Sequence, residues 1–200
     1  GPSGFHRRLW RAAVGENSLT FTRLSCDGEE GYPGNLLVSV RYTFDDECRL
    51  GIHYQALCDQ DTVINLTNHS YFNLDGEDSE SVEGQHLQIF ADSFAENDAG
   101  CLPTGRIVSL DSEEGAPFDF REPTEIGKRL HEENIHLKNG SGYDHNYLLK
   151  KQPDGLCARA YSRSSGILLE CRTSEPGMQL YTGNFLSTSN TVGKGGKSYA

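Results

Sequence analysis

The sequence predicts an all-β fold, an antiparallel β-sandwich. Three observations lead there: two adjacent runs of strict apolar/polar alternation around a short polar break, further short alternating runs along the whole chain, and almost no helix-period pattern. In the first run, Leu36, Val38, Val40, Tyr42 and Phe44 share one face, while Ser39, Arg41 and Thr43 share the other. Period-2 alternation places successive side chains on opposite faces of a half-buried strand. The acidic stretch at residues 45–47 reads as a turn. In residues 49–58, Leu50, Ile52, Tyr54, Ala56 and Cys58 then alternate against Arg49, Gly51, His53 and Gln55, completing an antiparallel hairpin. Further strands are expected at residues 19–24, 62–68, 86–90, 106–110, 156–162, 166–173 and 178–181, with a second hairpin across the break at 163–165. One short helix is expected at 123–130, with Pro123 at its start and Ile126 and Leu130 four apart. Residues 75–84, with five acidic residues and two glycines, read as a solvated loop. Strands following one another without helices between them favour an antiparallel sandwich over a parallel α/β sheet.

Composition narrows the function. The chain has 200 residues and a formal charge of −11, from 18 Lys and Arg against 29 Asp and Glu. That balance argues against nucleic acid and anionic membranes as partners. Length suggests one domain or two small ones. No run approaches the roughly 18 apolar residues of a membrane span. With no secretory-signal pattern in the sequence, a cytoplasmic location is expected. The cysteines are Cys26, Cys48, Cys58, Cys101, Cys157 and Cys171; no CxxC pair or zinc-site spacing occurs, so free thiols and no metal are expected. Glycosylation sequons at Asn65, Asn68 and Asn139 matter only in a secreted protein.

Three segments carry candidate chemistry. In residues 65–73 (NLTNHSYFN), Asn65, Thr67 and His69 fall on one face of the expected strand. A row of polar side chains is costly to bury without partners, so that face is wet or binds something polar. His69, at its end, is either a proton donor and acceptor near neutral pH or a structural histidine in an Asn-rich turn. In residues 140–147 (GSGYDHNY), Asp144 suits vicinal hydroxyls, or equally the amides of a turn. In residues 175–184 (EPGMQLYTGN), Gln179 and Tyr181 share a strand face after a Pro-Gly turn; Gln179 fits a ligand hydroxyl or solvent. His53, His86, His131 and His136 show no ligand spacing.

Together these segments resemble the galactose mutarotase (aldose 1-epimerase) family. The resemblance rests on NLTNHSYFN (65–73), GYDHN (142–146) and PGMQLYTGNF (176–185), with DGEEGYPG (27–34), LPTG (102–105), GAPFDFR (115–121) and GFHRRLW (4–10) in order along the chain. It implies a sandwich with a sugar on a concave sheet face. It implies interconversion of the α and β anomers of a free hexose such as galactose or glucose. No cofactor is implied, and a monomer is favoured. A carboxylate would take the anomeric hydroxyl proton while a histidine protonates the ring oxygen. Carried over, His69 matches the general acid and Asp144 and Gln179 match sugar-binding positions, with Asn68, Asn73 and Tyr181 as neighbours. His6 stands where the family more often has Asp. The family's base is a Glu beyond the motif ending at Phe185, and an Arg and another pocket His precede the GF-x-x-x-x-W stretch. Residues 1–200 are therefore expected to be the central part of one larger sandwich domain, feeble as an enzyme alone. A non-catalytic carbohydrate-binding sandwich and a hexose-6-phosphate 1-epimerase are the alternative readings. The second would want basic residues clustered at the site, whereas Arg106, Arg121, Arg159 and Arg172 are dispersed.

Overall fold

The computed structural model describes residues 3–76, 78–79 and 81–186. The described chain runs β1 (Arg11–Gly15), β2 (Ser18–Ser25), β3 (Leu36–Phe44), β4 (Leu50–Cys58), β5 (His86–Ile89), β6 (Ala91–Asn97), β7 (Pro103–Ser109), β8 (Thr124–Glu125), α1 (Ile135–Gly140), β9 (Asp144–Leu149), β10 (Leu156–Tyr161), β11 (Leu168–Arg172) and β12 (Gly177–Tyr181). All their pairings are antiparallel. The all-β antiparallel expectation holds. The chain divides into two compact units, residues 1–70 and 71–200.

The first unit holds one sheet of order β1-β2-β3-β4. The β3–β4 hairpin forms as its alternation predicts, with Leu36 opposite Cys58 and Phe44 opposite Leu50. Its turn is closed by Asp45, whose carboxylate accepts from the amides of Glu47 and Arg49, each at 3.0 Å, and from Arg49 Nε at 2.7 Å. Leu36, Val38 and Val40 are buried beneath Phe5, Trp10 and Leu66, while Phe44 is exposed.

The second unit is a two-layer sandwich of sheets β11-β10-β5-β8 and β12-β9-β6-β7. The chain changes sheet between β5 and β6 within one residue. Phe90 donates its amide to Cys157 in one sheet (2.9 Å) and accepts from Lys150, just past β9 in the other (2.8 Å). Phe94 and Phe118 stack at 4.3 Å in the shared core, with Phe120, Tyr143 and Tyr147 also buried there. The Tyr143 hydroxyl donates to the Pro117 carbonyl (2.8 Å) and the Tyr147 hydroxyl to that of Phe118 (2.9 Å). Burial pushes the Tyr143 phenol up to about 12, so both phenols stay protonated donors.

Two expected elements are corrected. Residues 123–130 form no α-helix: Thr124 and Glu125 pair with Leu87 and His86, and only a short 3-10 turn follows at Ile126–Lys128. The amides of Ile126 and Gly127 bond the carbonyls of Gln85 and Glu83, so tertiary pairing outweighs a weak local helical pattern. Residues 62–68 form no strand, because no strand among the described residues pairs with them. Alternation predicts a face but does not supply a ladder partner. Four elements were not expected. β1 is exposed along its length, and β6 carries register shifts that break its period. β9 follows a glycine-rich turn, and α1 is only six residues long. Of the acidic loop at 75–84, Glu77 and Glu80 lie outside the described residues, whereas Asp75 is tied to Gln85 and to the hydroxyls of Ser162 and Ser164.

Phe94→Ala should lower unfolding free energy by about 3–5 kcal/mol, read from urea denaturation, whereas Val14→Ala on exposed β1 should change it by less than about 0.5 kcal/mol.

Candidate active site

The second and third candidate segments form one structural piece. The side chain of Asn134 caps α1, accepting from the amides of His136 (2.8 Å) and Leu137 (3.4 Å), and Ser141 ends the helix at φ 54°. Gly142 then adopts φ 132°, where a Cβ would lie 2.6 Å from Asn184 Oδ1. Glycine is required there both for the backbone angle and for the close approach. Asn184, just after β12, donates Nδ2 to the carbonyls of Gly140 (2.8 Å) and Tyr143 (3.0 Å), and Thr182 donates to Asn184 Oδ1 (2.6 Å). The amide of Tyr143 in turn donates to the Thr182 hydroxyl at 3.2 Å. The TGN stretch thus clamps the turn that aims Asp144.

Asp144 opens β9. It lies opposite Tyr181 on β12, and Asn146 lies opposite Gln179. Gln179 Nε2 donates to Asp144 Oδ1 at 2.7 Å, so two of the three expected site residues meet directly. Asp144 is half-buried and Gln179 exposed. The carbonyl of Asp144 accepts from the buried Asn97 (2.8 Å), whose own carbonyl accepts from Asn139 (3.0 Å). Beside this pair, the ring of Tyr181 lies 5.7 Å from that of Tyr71 and 6.5 Å from that of Phe185, and the Phe185 amide donates to the Tyr181 hydroxyl (2.9 Å). Partial burial, then the charges of Tyr181 and Asp144, raise the pKa of the Tyr71 phenol. A carboxylate, an amide and a row of aromatic rings on one surface can bind hydroxyls while covering C–H faces. Tyr71 and Phe185 were not singled out from sequence; their ring contacts depend on tertiary structure.

His69 is exposed, in the irregular segment that ends the first unit. Its neighbour Asn68 holds the local backbone, accepting from the Ser70 amide (3.0 Å) and donating to the Tyr42 hydroxyl on β3 (3.3 Å). Asn73 belongs to the second unit, where its Oδ1 accepts from Gln85 (2.7 Å) and from the Asp75 amide (3.0 Å); those bonds make it a turn residue. His145, next to Asp144, is structural. It is wholly buried against Phe94 and Phe118, with ring centroids at 5.2 and 4.6 Å. Its Nδ1 faces the Asp144 amide at 3.1 Å, and its Nε2 has no hydrogen-bond partner among the described residues. Burial first, and the nearby His136 second, lower its pKa to about 4.

A sequence model of the family described as "Aldose 1-epimerase" matches residues 3–199. The chain belongs to the aldose 1-epimerase family. It is 44% identical over 200 residues to a galactose mutarotase of Bos taurus, covering all of this chain and 56% of that protein. It is 37% identical over 203 residues to an aldose 1-epimerase of Escherichia coli (strain K12), covering all of this chain and 57% of that protein. A solved structure of a GalM/aldose epimerase homologue from C. elegans superposes with a TM-score of 0.84 at 31% identity, covering all of this chain and 58% of the other. The galactose 1-epimerase of Lactobacillus acidophilus NCFM gives 0.81 at 28% identity, covering 94% of this chain and 55% of the other. The chain therefore spans somewhat over half the length of these aldose epimerase relatives. Among the described residues no helix is long and apolar enough to cross a membrane.

Two measurements test this local architecture. Gly142→Ala should destabilise the chain by about 1–3 kcal/mol in urea unfolding, because it combines backbone strain with a clash on Asn184. The second concerns His145. Below its ordinary value of 6.5 the unfolded chain takes up a proton that the folded His145 accepts only near pH 4, so stability falls as pH falls through that window. The loss should approach about 3 kcal/mol by pH 4. Urea midpoints between pH 7 and 4.5 should drop in the wild type and flatten in His145→Gln.

Proposed function

We propose that the protein is an aldose 1-epimerase that interconverts the α and β anomers of free hexoses such as galactose and glucose. The observation that carries this reading is the Asp144–Gln179 pair, held at 2.7 Å by the clamped GYDHN and PGMQLYTGNF segments of a chain that belongs to this family. In the proposed reaction His69 gives a proton to the ring oxygen while a carboxylate takes the proton of the anomeric hydroxyl. The C1–O5 bond opens, the C1–C2 bond rotates, and the reverse transfers close the other anomer. Both steps are proton transfers between positioned groups, so no redox cofactor is required. Asp144 and Gln179 orient the sugar: the carboxylate accepts from hydroxyls, and the Gln179 amide both donates and accepts. Their mutual bond fixes which Asp144 oxygen faces the amide. The base is proposed, from the family resemblance, to be a Glu beyond the motif ending at Phe185. The enzyme is proposed to act in the cytoplasm, a reducing compartment that suits a chain with six free cysteines.

Polarimetry of freshly dissolved α-galactose, with the protein in its full natural length, tests the reading. The wild type should speed the approach to anomeric equilibrium. His69→Ala should lower kcat by about 10²-fold or more. Asp144→Asn should weaken galactose binding by roughly 10- to 100-fold, as loss of a charged hydrogen-bond acceptor implies. Normal turnover in His69→Ala would remove that residue from the role of acid, and galactose binding without accelerated mutarotation would mark a binding module instead of an enzyme.

A further inference from the structure

We propose that Cys157 and Cys171 form a dithiol that peroxide converts to a reversible disulfide, a modification site separate from the sugar site. The two residues lie on adjacent strands of the β10–β11 hairpin, at a register shift between Leu156 and Ala158. Ala158 pairs with Cys171, and Leu156 with Arg172, so Cys157 is the extra residue of a β-bulge. A bulge interrupts the alternation of faces, and both Cys157 and Ala158 are buried on the core side. Cys171 stands opposite Ala158, two residues from Leu169, which is opposite Ala160. The two sulfurs are thereby brought to one face. The Cys157 thiol points across the hairpin, donating to the Cys171 carbonyl at 3.2 Å.

The two thiols differ in the way a stepwise oxidation requires. Cys171 is exposed and Cys157 buried. The neighbouring Cys157 thiol lowers the pKa of Cys171, while that same contact and then burial raise that of Cys157, so Cys171 is the one that ionises more readily. Elsewhere, the thiols of Cys58 and Cys101 point at the carbonyls of Pro33 (3.9 Å) and Asn139 (3.4 Å). The chemistry balances with hydrogen peroxide as oxidant. The Cys171 thiolate attacks one peroxide oxygen, the O–O bond breaks, and hydroxide leaves, giving a sulfenic acid. The Cys157 sulfur then attacks the Cys171 sulfur, and the S–O bond breaks. The departing oxygen takes the Cys157 proton and leaves as water. Two thiols lose two electrons in total, and one peroxide becomes two waters. The disulfide would tie the sheet-edge strand β11 to β10. It would also draw the Cys157 sulfur from its contact with Met178 Sδ, 3.8 Å away and adjacent in sequence to Gln179. The proposal does not depend on the mutarotase reading.

Mass spectrometry of the whole chain, treated with hydrogen peroxide, alkylated and digested, tests it. The expected result is a single cross-linked peptide pair joining Cys157 to Cys171, lighter by two hydrogens and restored by dithiothreitol, at peroxide levels that leave the other four cysteines alkylatable. Cys171→Ser, at an exposed position, should abolish the cross-link and leave Cys157 alkylatable. Cys157→Ser should let dimedone trap a sulfenic acid on Cys171. Three results would overturn the proposal: both cysteines remaining alkylatable, Cys171 oxidising without a bond to Cys157, or either cysteine pairing elsewhere first.

Discussion

The carbonyls of the buried Pro117 and Phe118 lie inside the second unit, where they accept from the phenols of Tyr143 and Tyr147, with Arg129 Nε adding a second bond to Pro117 at 3.2 Å. A buried carbonyl without a donor would cost about 1–3 kcal/mol, so this pairing is a strong constraint. It fixes the strand β9 against the GAPFDFR segment at two points four residues apart. The residue between those anchors that faces outward at the start of β9 is Asp144. The position of the candidate site is thus set by the core: moving Asp144 would uncouple both phenols from their partners.

The same economy runs through the surrounding polar groups. Asn97 and Asn139 hold the Asp144 backbone from the end of β6 and from α1, and Thr182 and Asn184 hold the turn before it. His145 is kept neutral so that its ring packs among Phe94 and Phe118 as an apolar body. Few of the residues in the three distinctive segments are available for chemistry; most secure the few that are. A site built on paired strands with such support holds its geometry better than one built on a free loop.

Much of the fold was legible in the sequence. The β3–β4 hairpin was written in strict alternation and an acidic turn, and β10–β11 in two short strand-like runs around the polar break at 163–165. The failures share a physical cause. Residues 62–68 alternate like a strand but have no ladder, and residues 123–130 look helical but are captured by β5; in both, tertiary partners decide the outcome. β6 escaped detection because its bulges turn period 2 into buried positions three apart, at Ala91, Phe94 and Asn97. In the site, the chemical types of Asp144 and Gln179 were readable, but their 2.7 Å contact depended on register between strands that are more than thirty residues apart. The aromatic neighbours Tyr71 and Phe185 were likewise invisible until β12 was placed.

Phe90 is the only residue between β5 and β6, yet those strands belong to opposite layers of the sandwich. The main partner of β5 is β10, and β6 lies between β7 and β9, so both layers wait on chain that comes more than fifty residues later. Long-range pairing of this kind slows folding, because loop-closure entropy is lost before the contacts form. On a ribosome, β5 and β6 must emerge and remain without their distant partners for seconds, at synthesis rates of about 5–20 residues per second. Neither layer can then close without the other, so the second unit assembles late and as a whole, once the strands from β9 to β12 have followed.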